Sequence, residues 1–248
     1  MNTKFIPIND IDIKNLKNAR QIFADCYLTS TIHSLCNNNT GKNLLKNNIA
    51  KDQLNNGYKI HFPGLKSKEK DIFVTQNEID NLYLTDKYAN AIKHDFEENP
   101  IQKAIEIAMN KLIKKYPSIK SLICRYADSV EDFEYNFPSK FMELFVGKKP
   151  IQLNEQTLKM TLKSKKNESI ELLKKIENSN GDFNFVTGTG FKLKSKFDDW
   201  HCYTIKNVDL ANDKITIYNT RECKNLTLDT HTFIKNFKYM TGFLNICK

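Results

Sequence analysis

The sequence predicts an α+β fold, richer in helices in its first half and in antiparallel strands in its second, within one domain spanning residues 1–248. Three observations carry that prediction. Ile101, Ala104, Ile105, Ala108, Leu112 and Ile113 recur at helical spacing between the start signal Asn99-Pro100 and the stop at Pro117. Leu28, Ile32, Leu35 and Cys36 follow Asp25 with the same period, and Asp25 is a residue type that accepts from the free N–H groups of a first helical turn. Near the end, Trp200 to Val208 and Lys214 to Asn219 alternate with a period of two around the polar turn Leu210 to Asp213, which is the pattern of a β-hairpin.

The remaining elements follow in order. Phe5 to Leu16 reads as a short arm laid on the domain through Ile8, Ile11 and Ile13. The helix led by Cys26 stops at Asn37 to Gly41, and Leu44, Leu45, Ile49 and Leu54 suggest a second helix ending near Gly57. Tyr58 to Phe62 alternates as a strand, turns at Pro63-Gly64 and finds a partner in Asp71 to Thr75. Ser118 to Phe137 carries no clear period. Asn154 to Lys165 and Ser169 to Ile176 read as two helices, the second stopped around Gly181, and Phe183 to Thr187 reads as a strand. Gly188-Thr189-Gly190 reads as a turn, a lone Gly-x-Gly being too little for a phosphate cradle. Trp200, the single tryptophan, is expected at the edge of the core.

Composition narrows the function classes. Thirty-eight Lys and Arg against 29 Asp and Glu give a net charge of +9, but the densest basic run, Lys159 to Lys175, alternates with Leu158, Leu162, Ile170, Leu173 and Ile176. That is a solvated helix face without the interleaved aromatics that single-stranded nucleic acid needs, so no specific nucleic-acid binding is expected. No apolar run approaches the roughly 20 residues that span a bilayer, and Met1 to Pro7 has no leader core, so the expected location is cytoplasmic. Six cysteines, at 26, 36, 124, 202, 223 and 247, show no paired spacing of the zinc or dense-disulfide kind. No metal and no cofactor is expected.

Two stretches carry chemistry. A thiol on the first turn of the Cys26 helix lies at the end where unpaired N–H groups and the helix dipole favour negative charge, which lowers its pKa. In the hairpin, pairing Val208 with Lys214 sets Tyr203 opposite Asn219 and His201 diagonal to it on the same face, whereas a slip of one residue sends Asn219 to the other face. In the first register Asn219 holds one imidazole nitrogen and leaves the other for a thiol. His33 projects seven residues beyond Cys26, about 10 Å along the helix axis and out of proton-transfer range. His61, His94 and His231 have no comparable partner.

These segments resemble the calpain-like branch of the papain-fold cysteine proteases. The resemblance lies in Gln21-x4-Cys26-Tyr27-Leu28, in His201-Cys-Tyr-Thr-Ile followed by Lys214-Ile-Thr-Ile-Tyr-Asn219, and in Ile101-Gln-Lys-Ala104. Phe141 to Gly147 occupies the place of the family's apolar segment, while Leu226 to Phe237 and Gly242 to Cys247 resemble its last helix and closing strand. The resemblance implies a two-lobed fold, with a helical lobe over about residues 1–150 and a β-rich lobe over about 151–248. It further implies a Cys26–His201–Asn219 triad with Gln21 at the oxyanion, and a protein or peptide substrate. The same triad also performs deamidation, transamidation or isopeptide cleavage, and an inactive descendant would be a binding module. Three departures stand out: Gln21 lies five residues before the cysteine where the family has six, Ala24 replaces a glycine, and Asn219-Thr220-Arg221-Glu222 replaces Asn-Pro-Trp-Gly. No acidic calcium loop is recognisable. The Lys- and Asn-rich composition suits a low-GC genome, and the expected setting is the producing cell's own cytoplasm or, for a secreted effector, a host cytosol.

Overall fold

The computed structural model describes residues 5–21, 25–81, 99–119, 137–154, 162–190, 197–198 and 200–246. The described residues form an α+β fold with two antiparallel sheets, one of four strands and one of six.

The first half holds more strand than its sequence predicts. The arm is a strand, β1 (Phe5–Pro7), and then a helix, α1 (Asp10–Lys17), divided by a capping box. Asn9 Oδ1 accepts the Ile11 and Asp12 N–H groups at 2.9 and 3.0 Å, and the Asp12 carboxylate accepts the Asn9 N–H at 3.0 Å. The helical turn buries Ile8 and Ile13 and leaves Ile11 70% exposed. After α2 (Cys26–Leu35), α3 (Asn39–Asn48) begins inside the asparagine run expected to break the chain. Asn38 is the reason, since its Oδ1 accepts the Gly41 N–H at 2.7 Å while its Nδ2 donates to Phe183 O at 2.7 Å. Ile49 then belongs to β2 (Ile49–Asp52), and Leu54 lies in an exposed turn. The expected hairpin is present as β3 (Gly57–His61) and β4 (Asp71–Val74), and the first sheet runs β1-β2-β3-β4.

Helix α4 (Gln76–Asn81) precedes α5 (Pro100–Lys115), which starts at the expected position: Asn99 Oδ1 accepts the Ile101 and Gln102 N–H groups at 2.9 and 3.1 Å. Most of the unassigned stretch 118–137 lies outside the described residues. Helix α6 (Pro138–Val146) closes on Gly147, whose φ of 80° is open to glycine and strained for other residues.

The second half differs in two places. Asn154 ends a strand, β5 (Ile151–Asn154); most of the helix expected over 154–165 lies outside the described residues, and α7 (Leu162–Glu177) runs unbroken from its last residues through the second expected helix. Gly188 and Thr189 belong to β6 (Phe183–Thr189) and form no turn. The six-stranded sheet is completed by β7 (Cys202–Asp209), β8 (Lys214–Asn219), β9 (Lys224–Leu228) and, after α8 (Thr230–Asn236), β10 (Phe237–Leu244), in the order β5-β10-β6-β7-β8-β9.

Alternation along these strands feeds two cores. Val186, Cys202 and Phe243 face the core built on α2, α5 and α6, whereas Phe185, Tyr203, Ile205 and Met240 face the core closed by α7 and α8. Each large apolar side chain so buried contributes about 1.5–3 kcal/mol. Helix α2 has no solvated face, since every residue from Tyr27 to Leu35 is buried. Its small hydroxyls bond outward instead: Ser30 Oγ donates to Cys202 O at 3.0 Å, and Thr204 Oγ1 donates to Ser30 O at 2.8 Å.

The β7–β8 hairpin corrects the register at its turn. Val208 faces Ile215 and Asp209 faces Lys214, one residue away from the expected pairing. A bulge at Lys206 then absorbs one residue, so Ile205 faces Ile217 and Thr204 faces Tyr218, which carries Tyr203 toward Asn219 as the sequence requires. The apolar spacing explains the bulge. Tyr203, Ile205 and Val208 must share a face with Ile215 and Ile217, and the interval of three between Ile205 and Val208 fits only with one extra residue.

Candidate active site

Cys26, His201 and Asn219 come from α2, the start of β7 and the end of β8, and the fold brings them together. His201 is 4% exposed and its Nε2–H donates to Asn219 Oδ1 at 2.8 Å. The Arg221 N–H donates to the same oxygen at 3.0 Å, which fixes the amide's orientation. With Nε2 committed, Nδ1 is the ring nitrogen left to hydrogen-bond the Cys26 thiol. The ring is wedged edge-on against Tyr203, with centroids 4.7 Å apart. Thr189 anchors the backbone on both sides, its N–H donating to His201 O and its Oγ1 accepting the His201 N–H, each at 3.0 Å.

Cys26 is partly exposed at the mouth of α2. The Cys202 thiol donates to its sulfur, His201 adds a hydrogen bond and a positive charge, and together these outweigh burial and hold the thiol well below its ordinary pKa. Burial alone would neutralise His201, yet the Cys26 thiolate and the Asn219 oxygen raise its pKa. The two groups thus stabilise each other as thiolate and imidazolium. The Cys26 sulfur also lies 3.8 Å from Trp200 O. Trp200 has a φ of 52°, an uncommon backbone for a bulky residue, and its side chain is about half exposed, so it sits outside the core edge where it was expected.

Gln21 is fixed against the His–Asn side of the site. Its N–H donates to Thr220 O at 3.1 Å and its Oε1 accepts from Thr220 Oγ1 at 3.5 Å. Arg20 braces the same loop, Nε donating to Arg221 O at 2.6 Å. Residues 22–24, between Gln21 and the cysteine helix, lie outside the described residues.

Asp25 departs from its expected role. It occupies the N-cap position of α2, but its carboxylate makes no capping bond. The side chain is fully buried, and among the described residues no N–H or hydroxyl donor reaches either oxygen. Its neighbour is a second buried carboxyl, Glu106 of α5, whose Oε1 accepts from Gln102 Nε2 at 2.8 Å. Gln102 Nε2 also donates to Arg20 O at 3.1 Å. Burial, then the charge and hydrogen bond of Glu106 and the nearby Cys26 sulfur, push the Asp25 carboxyl well above the usual range. Two carboxyls hydrogen-bond only when one is protonated, so this pair, next to Cys26, favours a shared proton.

Sequence reasoning missed Cys202, Thr189, Thr220 and the Asp25–Glu106 pair. Cys202 had a signal in its position next to His201; the others depend on contacts between elements far apart in the chain. His33, buried on α2, stacks on Tyr218 with ring centroids 4.0 Å apart, and burial together with the charges of Lys206 and Lys17 pulls its pKa down to about 3. No helix among the described residues is long and apolar enough to cross a membrane. Compared with known protein families and with curated proteins, the chain matches no family model and no curated sequence.

Proposed function

We propose that this protein is a cysteine endopeptidase of the calpain-like, papain-fold type, acting on protein or peptide substrates in a cytoplasm. The observation that carries the reading is the convergence of a thiol, an imidazole and a carboxamide from three elements, with the ring held by Asn219 at 2.8 Å and close enough to lower the pKa of the Cys26 thiol. On this reading the two cores on either side of the large sheet correspond to the two lobes.

The Cys26 thiolate attacks the carbonyl carbon of the scissile amide, and the carbonyl π electrons move to oxygen. The Cys26 N–H, unpaired at the helix start, and the Gln21 amide donate to that oxyanion. His201 gives its proton to the amide nitrogen, the C–N bond breaks, and a thioester remains. Neutral His201 then takes a proton from water, the resulting hydroxide attacks the thioester, and collapse returns the thiolate and the imidazolium. Asn219 keeps the ring in line through both proton transfers.

The test is Cys26→Ala in a peptide-cleavage assay run beside labelling with an epoxide thiol inhibitor. Cleavage is expected to fall by at least about 10⁴-fold and labelling to vanish; persistence of either sinks the assignment. Mass spectrometry of the reacted substrate separates the alternatives, because a Gln-to-Glu change in an uncut chain assigns deamidation, and a new amide or released isopeptide assigns transfer or isopeptide cleavage. A thiol that alkylates no faster than an ordinary cysteine assigns a binding module.

A further inference from the structure

The residue after the proposed catalytic histidine is a second cysteine, and the fold sets it beside the first. Cys26 and Ser30 are four apart on α2 and therefore share one helix face. Ser30 Oγ donates to Cys202 O at 3.0 Å and Thr204 Oγ1 donates to Ser30 O at 2.8 Å, so the start of β7 lies against that face and sets the Cys202 thiol beside Cys26. Cys202 faces the α2 core and is 4% exposed. Behind it, Tyr239 Oη lies 2.8 Å from Cys202 Sγ. Gly188 makes that contact possible: it pairs with Cys202 across the strands, and a Cβ there would come within 2.3 Å of the Tyr239 ring. Neither thiol is in a disulfide.

We infer that Cys26 and Cys202 are a redox pair, in which Cys202 captures the oxidised nucleophile as a reversible disulfide after attack by a hydroperoxide. The inference rests on Cys26 being the reactive thiolate of the proposed function. In the first step the Cys26 thiolate attacks one peroxide oxygen, an S–O bond forms and the O–O bond breaks. For hydrogen peroxide, hydroxide leaves, takes the His201 proton and becomes water, and Cys26 is left as the sulfenic acid. In the second step Cys202 sulfur attacks the Cys26 sulfur, the S–O bond breaks, and hydroxide leaves with the Cys202 proton as water. Peroxide is reduced by two electrons and the two thiols are oxidised together. An external dithiol reverses the second product by exchange.

The local chemistry suits the order of events. Burial and the Cys26 thiolate hold the Cys202 thiol well above its ordinary pKa, so it waits as a donor while Cys26 is reduced. Oxidation of Cys26 removes the thiolate's share of that effect, and the Tyr239 hydroxyl is in place to stabilise developing charge on Cys202. Cys36 lies at the other end of α2, and Cys223 is exposed on the β8–β9 turn.

The test uses the whole protein, hydrogen peroxide and mass spectrometry. Peroxide is expected to abolish alkylation of Cys26, to produce a linked peptide joining Cys26 to Cys202, and to be reversed by dithiothreitol. In Cys202→Ala the linked peptide is absent, Cys26 proceeds to the sulfinic acid, and recovery drops at least about tenfold. Tyr239→Phe, which keeps the ring packed against Gly188, is a second variant and should form the linkage more slowly. If Cys26 alkylates rapidly in the reduced protein but no Cys26–Cys202 peptide forms, or Cys202→Ala recovers as fully as the native protein, the redox pair is wrong and the peptidase reading survives. Slow alkylation of Cys26 in the untreated native protein overturns both.

Discussion

Helix α2 carries a cysteine at each end, and the two thiols differ in every respect that governs reactivity. Cys26 stands at the N-terminus, partly exposed, with His201 and the Cys202 thiol as partners and a pKa held far below the ordinary range. Cys36 caps the C-terminus, fully buried, and burial pushes its thiol up to about 12 despite the charges of Lys17 and Lys42. The helix dipole adds to the contrast, favouring an anion at the first end and opposing it at the second. The histidines repeat the lesson: burial leaves His33 neutral, whereas an equally enclosed His201 has its pKa raised because a thiolate and an amide oxygen face it. Enclosure makes a group inert unless the enclosing groups complement its charge.

The sharpest way to break this contrast, apart from removing Cys26 itself, is His201→Ala. With the imidazolium gone, the Cys26 pKa should climb toward the unperturbed value of about 8.5, so its alkylation rate at pH 6 should fall about a hundredfold. The sign follows from the two shifts. A lowered thiol pKa preserves the thiolate as pH falls, and a raised imidazole pKa preserves the proton as pH rises, so cleavage in the native protein should be flat across neutral pH. A native profile that rises steadily toward pH 8.5 would show that the pair does not form.

Asn219→Ala is the next in size. It leaves the thiol and the ring in place but frees the ring to tilt, which should lower kcat about 10- to 100-fold with little change in KM. Cys26 alkylation should change less than kcat does, because the imidazolium remains nearby. The smallest effect belongs to Cys36→Ala. Labelling and cleavage should match the native protein, with a stability loss of about 1 kcal/mol on urea denaturation from the small space left behind.

The pairing of His201 with Asn219 was legible in the sequence because residue types, order and strand period pointed to one arrangement, and the helix of residues 100–115 because its cap, stripe and stop are all local. The turn-end register was misread because strict alternation was carried through Lys206, although the interval of three from Ile205 to Val208 is itself the mark of a bulge. The four-stranded sheet was obscured by Asn38, whose cap lets a helix begin where asparagines usually end one, so that Ile49 falls in the next strand. Asp25 resisted prediction for another reason. Its residue type suits a cap, and only the approach of Glu106, 81 positions further along, makes it an acid in an acid pair.

That pair leaves a mark on the thermodynamics of the whole chain. Folding lowers the pKa of Cys26 and raises that of His201, so the two titrations move stability in opposite directions as pH changes. Burial raises the pKa of the Asp25 carboxyl with no such offset, so between its unfolded and folded pKa the native state binds more protons than the unfolded chain. The stabilisation tied to that proton is complete below the unfolded carboxyl pKa and fades as pH climbs through the folded one. A rise in pH thus weakens the floor beneath Cys26 even as it favours the thiolate.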